Sequence, residues 1–138
     1  MKVLIDTNII LDVLTKRDPY YKFSSSFLKP CGTRVTGCIA ANQTTDIFYL
    51  LRREGKDAVS AKSIVKKLTD NIKPVDVTAA DVQNALASDI PDNEDALPAC
   101  CAKRQKADYV ITRNEKDFRL SPVPALSPQQ FLTRFFSI

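Results

Sequence analysis

The run Val3-Leu4-Ile5, followed at once by Asp6-Thr7-Asn8, constrains the fold of this chain more than any other stretch. Three apolar residues in a row are too few for a helix, and they do not alternate with polar ones. The run therefore reads as a strand buried on both faces, the type found in the middle of a parallel sheet. In open α/β folds, ligands and chemistry sit just past the carboxyl ends of such strands. Asp6, Thr7 and Asn8 occupy that position here. A carboxylate at this edge points to a metal or a phosphoryl group, provided that other acids arrive at the same place.

The rest of the chain alternates helix and strand patterns. Ile9, Ile10, Val13 and Leu14 recur at helical spacing and predict a helix over 7–14, closed by Asp18-Pro19. A second helix is expected over 20–28, and a short strand over 34–39 in which Gly37 is a weakness. Ile47, Leu50 and Leu51 share a face of the next helix, which Gly55 stops. Asp57 caps another, whose apolar stripe is Ala58, Ala61, Ile64, Val65 and Leu68. After an extended segment over 73–77, Thr78 and Asp81 form a capping box for a helix with Val82, Ala85 and Leu86 inward. Asp92, Glu94 and Asp95 open a further helix. Pro98 cannot donate to the carbonyl of Glu94, so that helix is expected to begin near Asp95. Tyr109-Val110-Ile111-Thr112 is the second clear buried strand, 122–125 a last short one, and 129–136 a closing helix capped by Ser127 and Gln130. This succession predicts one α/β domain, residues 1–138, around a parallel sheet.

Composition narrows the chemistry. Hydrophobic residues at 44% and charged residues at 26% are ordinary for a globular chain of 138 residues. No apolar run approaches the roughly 20 residues of a membrane span. Asp6 and Asp12 interrupt what would be the apolar region of a signal peptide, so a cytoplasmic location is expected. The chain has no histidine, which excludes Ser-His-Asp and Cys-His catalysis and Cys/His zinc sites. Its four cysteines, Cys31, Cys38 and the adjacent Cys100 and Cys101, read as reduced and mostly buried small hydrophobes. Net charge is only +4, yet residues 76–95 hold six acids and no lysine or arginine. Seven basic residues against three acids fill 52–73, and six against three fill 103–119. An acidic cluster between basic segments suits a metal centre acting on a polyanion, and helices with solvated faces produce such runs as well.

Three acidic placements matter jointly. Asp6 ends the first strand, Asp46 interrupts an otherwise apolar helix segment, and Asp95, beside Asp92 and Glu94, opens the helix leading to the second buried strand. That strand ends in Thr112-Arg113-Asn114, with Asp117 three residues on. If the two strands are neighbours, their ends lie side by side. Oxygen donors of this kind suit Mg²⁺ or Mn²⁺, and such a metal activates water and stabilises displacement at phosphorus without histidine. Each acid also has a structural use. Asp6 and Asn8 can cap a helix, Asp46 can pair with Arg53 or face water, and Asp92, Glu94 and Asp95 favour a helix N-terminus.

Leu4-Ile5-Asp6-Thr7-Asn8, the Thr45-Asp46-Ile47 helix, Glu94-Asp95-Ala96-Leu97 and Val110-Ile111-Thr112-Arg113-Asn114-Glu115-Lys116-Asp117-Phe118, in this order, resemble the PIN-domain nucleases. The resemblance runs from the first strand nearly to the C-terminus. It implies a three-layer α/β/α sandwich with a central parallel sheet of about five strands, and Mg²⁺- or Mn²⁺-dependent hydrolysis of RNA phosphodiester bonds. Many small bacterial members are the toxin ribonucleases of VapBC-type toxin–antitoxin pairs, which implies an antitoxin partner. Carried over by position, Asp6, Asp46 and Asp95 match three metal carboxylates that serve catalysis, although most members have glutamate where Asp46 stands. The fourth position, commonly aspartate, is Asn114, leaving Asp117 and Asp92 as candidates to supply the missing charge. Thr7, Asn8, Thr112 and Asn114 match polar positions lining the pocket. Arg113 is the best placed to contact nucleic acid, followed by Lys116, Arg52 and Arg53. Members of the family often dimerise, and Phe48 and Tyr49 or Phe135 and Phe136 would serve in a homodimer or equally in the core.

Three readings follow. The first is a metal-dependent endoribonuclease, the toxin of an antitoxin-controlled pair. The second, motivated by Asn114 and Asp46, is a PIN-like domain that binds RNA or protein with weak or no cleavage. The third is a phosphatase using Asp6 as nucleophile, which needs a second aspartate two residues on, where this chain has Asn8.

Overall fold

The computed structural model describes residues 1–137. The first strand, β1 (Lys2–Ile5), lies at the centre of a five-stranded sheet. Its neighbours are β2 (Thr36–Ala40) and β4 (Tyr109–Ile111), with β3 (Ile72–Val75) and β5 (Ala125–Leu126) at the edges. The order is β3-β2-β1-β4-β5, and every pairing is parallel. Val3, Leu4 and Ile5 are completely buried, as a strand covered on both faces requires. Leu4 pairs with Val110 and Ile5 with Ile111, so the two apolar runs recognised in the sequence are adjacent.

Successive side chains of β1 enter opposite cores. Val3 and Ile5 meet Ile9 and Ile10 of α1 (Thr7–Leu14), Phe27 of α2 (Tyr21–Leu28) and Ile47 and Leu51 of α3 (Ala41–Arg53). The same core takes in Ala61 of α4 (Ala58–Leu68) and Phe131 and Leu132 of α7 (Pro128–Phe136). Leu4 faces the other way, toward Ala85 of α5 (Ala79–Ala87) and Ala96, Ala99 and Ala102 of α6 (Asn93–Arg104). The alanines let α6 lie close against the sheet. Helices on both faces of a parallel sheet give the three-layer α/β/α sandwich.

Local signals set most boundaries. Asp57 Oδ1 accepts from Ser60 N at 2.7 Å at the start of α4. Thr78 and Asp81 exchange bonds of 3.1 and 3.0 Å at the start of α5, and Ser127 and Gln130 exchange 3.1 and 2.9 Å bonds at α7. Cys31, Cys38 and Cys101 are buried free thiols, and burial pushes Cys31 and Cys101 up to about 12.

Four boundaries or faces differ from expectation. Strand β2 begins at Thr36, and Gly37 sits inside it because a Cβ there would lie 3.1 Å from Ile5 Cδ1 and 3.2 Å from Cys31 Sγ. The glycine permits close packing and does not interrupt the strand. Helix α6 begins at Asn93, two residues before Asp95, because Asp92 Oδ1 caps Glu94 N at 2.9 Å. Pro98 therefore stands inside the helix, buried, and leaves the carbonyl of Glu94 without its usual donor. The last strand is Ala125–Leu126, displaced from 122–125, with Pro124 O accepting from Val110 N at 2.9 Å. Helix α5 is rotated: Val82 and Leu86 are 39% and 69% exposed, while Asp81 faces inward to meet Arg104 of α6 at 3.0 Å.

Candidate active site

Asp6 follows β1 directly, and its amide donates to Ile111 O at 2.9 Å, which fixes it against the end of β4. Thr112 leaves β4 fully buried and donates its hydroxyl to Asp6 Oδ2 at 2.8 Å. The same hydroxyl oxygen accepts from the amide of Asn114 at 3.1 Å, tying down the turn after β4. Burial raises the carboxyl of Asp6 above its ordinary range. The Thr112 hydroxyl, the amides of Thr7 and Asn8 at the start of α1, and the charge of Arg113 oppose that rise. Thr7 is held in turn by Gln43 of α3, whose Nε2 donates to Thr7 Oγ1 at 3.0 Å and to Ile5 O at 2.9 Å. Gln43 Oε1 also accepts from Ala40 N at 2.6 Å. Sequence reasoning passed over Gln43, although a Gln three residues past a strand end is the acceptor half of a capping box.

Asp95, in the first turn of α6, meets this group of acids. Burial first, and then the negative charges of Asp6, Asp92, Asp117 and Glu94, push its carboxyl up to about 7. Five carboxylates from three parts of the chain therefore share one electrostatic neighbourhood. A cleft of about 540 Å³ opens over Asp92, Asp95 and Asp117, and Lys116 and Arg119 stand at it as cations. Asp117 comes from a short 3₁₀ turn, Glu115–Phe118, that follows β4. Arg119 is a cleft residue that the sequence reading did not name.

The donor set fits a hard divalent cation in its chemistry. It is all oxygen, and its mutual repulsion, visible in the raised carboxyl of Asp95, is what a bound cation relieves. Among the described residues, no three acid or thiol side chains stand close enough to enclose an ion as they are placed. Asp6 is turned to Thr112, and Asp92 to the amide of Glu94.

The other expected site residues are distributed unevenly. Asp46 is exposed on α3, one turn beyond Gln43, and the principal charges acting on Asp95 come from other acids. Asn8 is half-buried at the start of α1, and Asn114 is exposed before the 3₁₀ turn. Arg113, expected to be the leading nucleic-acid contact, is engaged elsewhere: its Nε lies 2.9 Å from Asp12 Oδ2, and only 20% of its side chain is exposed. Arg52 and Arg53 are exposed in the last turn of α3, about 14 Å along the helix axis from Gln43. The rise of α3 carries them away from the acids, so the cations at the cleft are Lys116 and Arg119.

Comparison with known proteins agrees with this geometry. The sequence pattern of the PIN domain matches residues 2–116. Ribonuclease VapC1 of Aquifex aeolicus (strain VF5) is 22% identical over 140 residues, covering 97% of this chain and 95% of that protein. VapBC2 from Rickettsia felis, solved bound to a DNA fragment from their promoter, superposes with a TM-score of 0.67 at 19% identity, covering 92% of this chain and 98% of that one. VapBC-1 from nontypeable Haemophilus influenzae gives 0.70 at 16% identity, covering 94% and 99%. With the sheet order, the acids at the strand ends and a match over most of its length, the chain belongs to the PIN-domain family.

Proposed function

We propose that this chain, read as one domain, is a metal-dependent endoribonuclease that hydrolyses RNA phosphodiester bonds and serves as the toxin of a toxin–antitoxin pair. The observation that carries the reading is Asp95, its carboxyl pushed up to about 7 by burial first and then by the negative charges of Asp6, Asp92, Asp117 and Glu94. Acids that repel one another in this way gain from a bound cation. The relative named a ribonuclease and the neighbours solved as VapBC complexes support both the activity and an antitoxin partner. None of the described helices is long and apolar enough to cross a membrane, which accords with action in the cytoplasm. Tyr49, 64% exposed on α3, is available to a homodimer.

Asp6 and Asp95 would hold Mg²⁺ or Mn²⁺, with Asp117 and Asp92 completing the charge and Asp46 approaching from α3. When bound, such a cation polarises a phosphoryl oxygen and lowers the pKa of a water. Thr112 orients Asp6, and its hydroxyl and the amides of Thr7 and Asn8 favour the charged carboxylate against burial. Asn8 and Asn114 offer neutral amides to orient substrate or water. Lys116 and Arg119 face the backbone phosphates, a contact that gives affinity without reading sequence. Cleavage of single-stranded RNA should require Mg²⁺ or Mn²⁺ and fall at least 100-fold in Asp6→Asn and in Asp95→Asn. Undiminished cleavage by both variants in a clean preparation would sink the proposal.

Two observations favour a second reading: no three acids stand close enough to enclose an ion among the described residues, and the fourth position is Asn114. A PIN-like domain that binds RNA or a protein without cutting fits those facts. Calorimetry would separate the two, since salt-sensitive RNA binding with no uptake of Mn²⁺ selects the binding module.

A further inference from the structure

Asp12 on α1 is completely buried, beside Ile9, Ile10 and Leu11. Its Oδ2 lies 2.9 Å from Arg113 Nε and accepts a hydrogen bond from Ser24 Oγ at 3.2 Å. Its Oδ1 has no hydrogen-bond partner among the described residues, and the contact with Arg113 Nε is chiefly an ion pair. The guanidinium also lies 3.9 Å from the centroid of the Tyr20 ring. The reaction outlined above makes no use of these groups.

A buried carboxylate with an open oxygen is a poor source of stability. Pairs of this kind are often replaced by apolar residues without loss. The reason to keep this one lies in what Arg113 would otherwise do. Arg113 adjoins Thr112, whose hydroxyl holds Asp6, and its charge reaches Asp6. An arginine carries a planar fork of donors that matches carboxylates. Released, it would turn to the acidic cluster beside it, first to Asp6, which its charge already reaches, and fill the place a divalent cation needs.

We propose that Asp12, with the Tyr20 ring, is a positioning residue that holds Arg113 back from the acidic cluster and so keeps Asp6 and Asp95 free for a divalent cation. This rests on the reading of that cluster as a cation site. Mn²⁺ titration of the full chain by calorimetry tests it through a double-mutant cycle. Asp12→Asn should weaken Mn²⁺ binding at least tenfold, Arg113→Met should leave it within twofold, and the double variant should recover the wild-type affinity. Equal weakening in Asp12→Asn and in the double variant would mean a structural role only and would overturn the proposal. The structure of metal-free Asp12→Asn decides independently. It should show the Arg113 guanidinium against Asp6 or Asp95, and a guanidinium still stacked on Tyr20 overturns the idea. That second arm reads Arg113 whatever the wild type does with Mn²⁺, so a wild type that takes up no Mn²⁺ counts against the metal reading alone. Should Asp12→Asn not fold, Tyr20→Ala loosens the same guanidinium at a ring that is 43% exposed. It should weaken Mn²⁺ about threefold, with recovery on adding Arg113→Met, and unchanged affinity overturns the proposal.

Discussion

At Asp95, burial and four neighbouring negative charges push the carboxyl from an ordinary value of 3.8 to about 7. Between those values the folded protein keeps a proton that the unfolded chain releases. The stability linked to that proton is fully present below about pH 4 and is lost as the pH rises through about 7. Asp95→Asn should therefore stabilise the metal-free protein at pH 8 by on the order of 1–2 kcal/mol, once solvent screening is allowed for. At pH 4 the same substitution should be neutral. Urea midpoints at the two pH values check this, and an equal effect at both would deny that charge repulsion acts on Asp95. The placement of Asp6 just after β1 was legible in the sequence, and that of Asp95 in the first turn of α6 to within two residues of the helix start. The fate of Arg113 was not, since its partner Asp12 lies 101 positions away in the chain.

Helices α5 and α6 show where periodicity misleads. The spacing of Val82, Ala85 and Leu86 describes a sound apolar face, yet only Ala85 of the three is buried. The rotation follows from Asp81, which is buried at 2% exposure and bound by Arg104 Nε at 3.0 Å to each carboxylate oxygen. Burial alone would raise the Asp81 carboxyl. The Arg104 bonds, the Thr78 amide and the Cys101 thiol outweigh burial and hold it at about 2. Its stabilising effect is complete above about pH 4 and fades as the pH falls through about 2. Asp81→Asn should cost about 2 kcal/mol at pH 7, a figure reduced from that of a fully buried pair because Arg104 is 34% exposed. A lower urea midpoint with unchanged cleavage per folded molecule is the expected result. Loss of cleavage with normal stability would place Asp81 in the site instead. Pro98 departs from the local rule for a related reason. A proline inside a helix is unfavourable in isolation, and here Asp92 starts the helix early and burial of the proline ring offsets the lost bond.

Across the whole molecule, one topological fact assembles the candidate site: β1 and β4 are neighbours although more than a hundred residues separate them. The two apolar runs pointed to interior strands, covered on both faces, and left open whether the two were neighbours. The adjacency brings Asp6 to Thr112, and α6, packed under β1 and β4, brings Asp95. What the runs could not specify is how far each acid turns inward, since that depends on side-chain bonds such as those made by Thr112 and Asp92. A divalent cation held by Asp6 and Asp95 would therefore cross-link the first strand to the sixth helix, and its binding energy would add to the stability of the fold. At a concentration about 100 times its Kd, Mn²⁺ should add about 2.7 kcal/mol. For a domain of this size that corresponds to a rise of roughly 8–10 °C in the unfolding midpoint. Asp6→Asn should abolish most of the rise while leaving the metal-free midpoint near or above that of the wild type, because it removes one of the repelling charges at Asp95. Thermal unfolding with and without Mn²⁺ measures both. A wild-type midpoint indifferent to Mn²⁺, or the same rise in the variant, would mean that the acids of β1 and α6 do not share a cation.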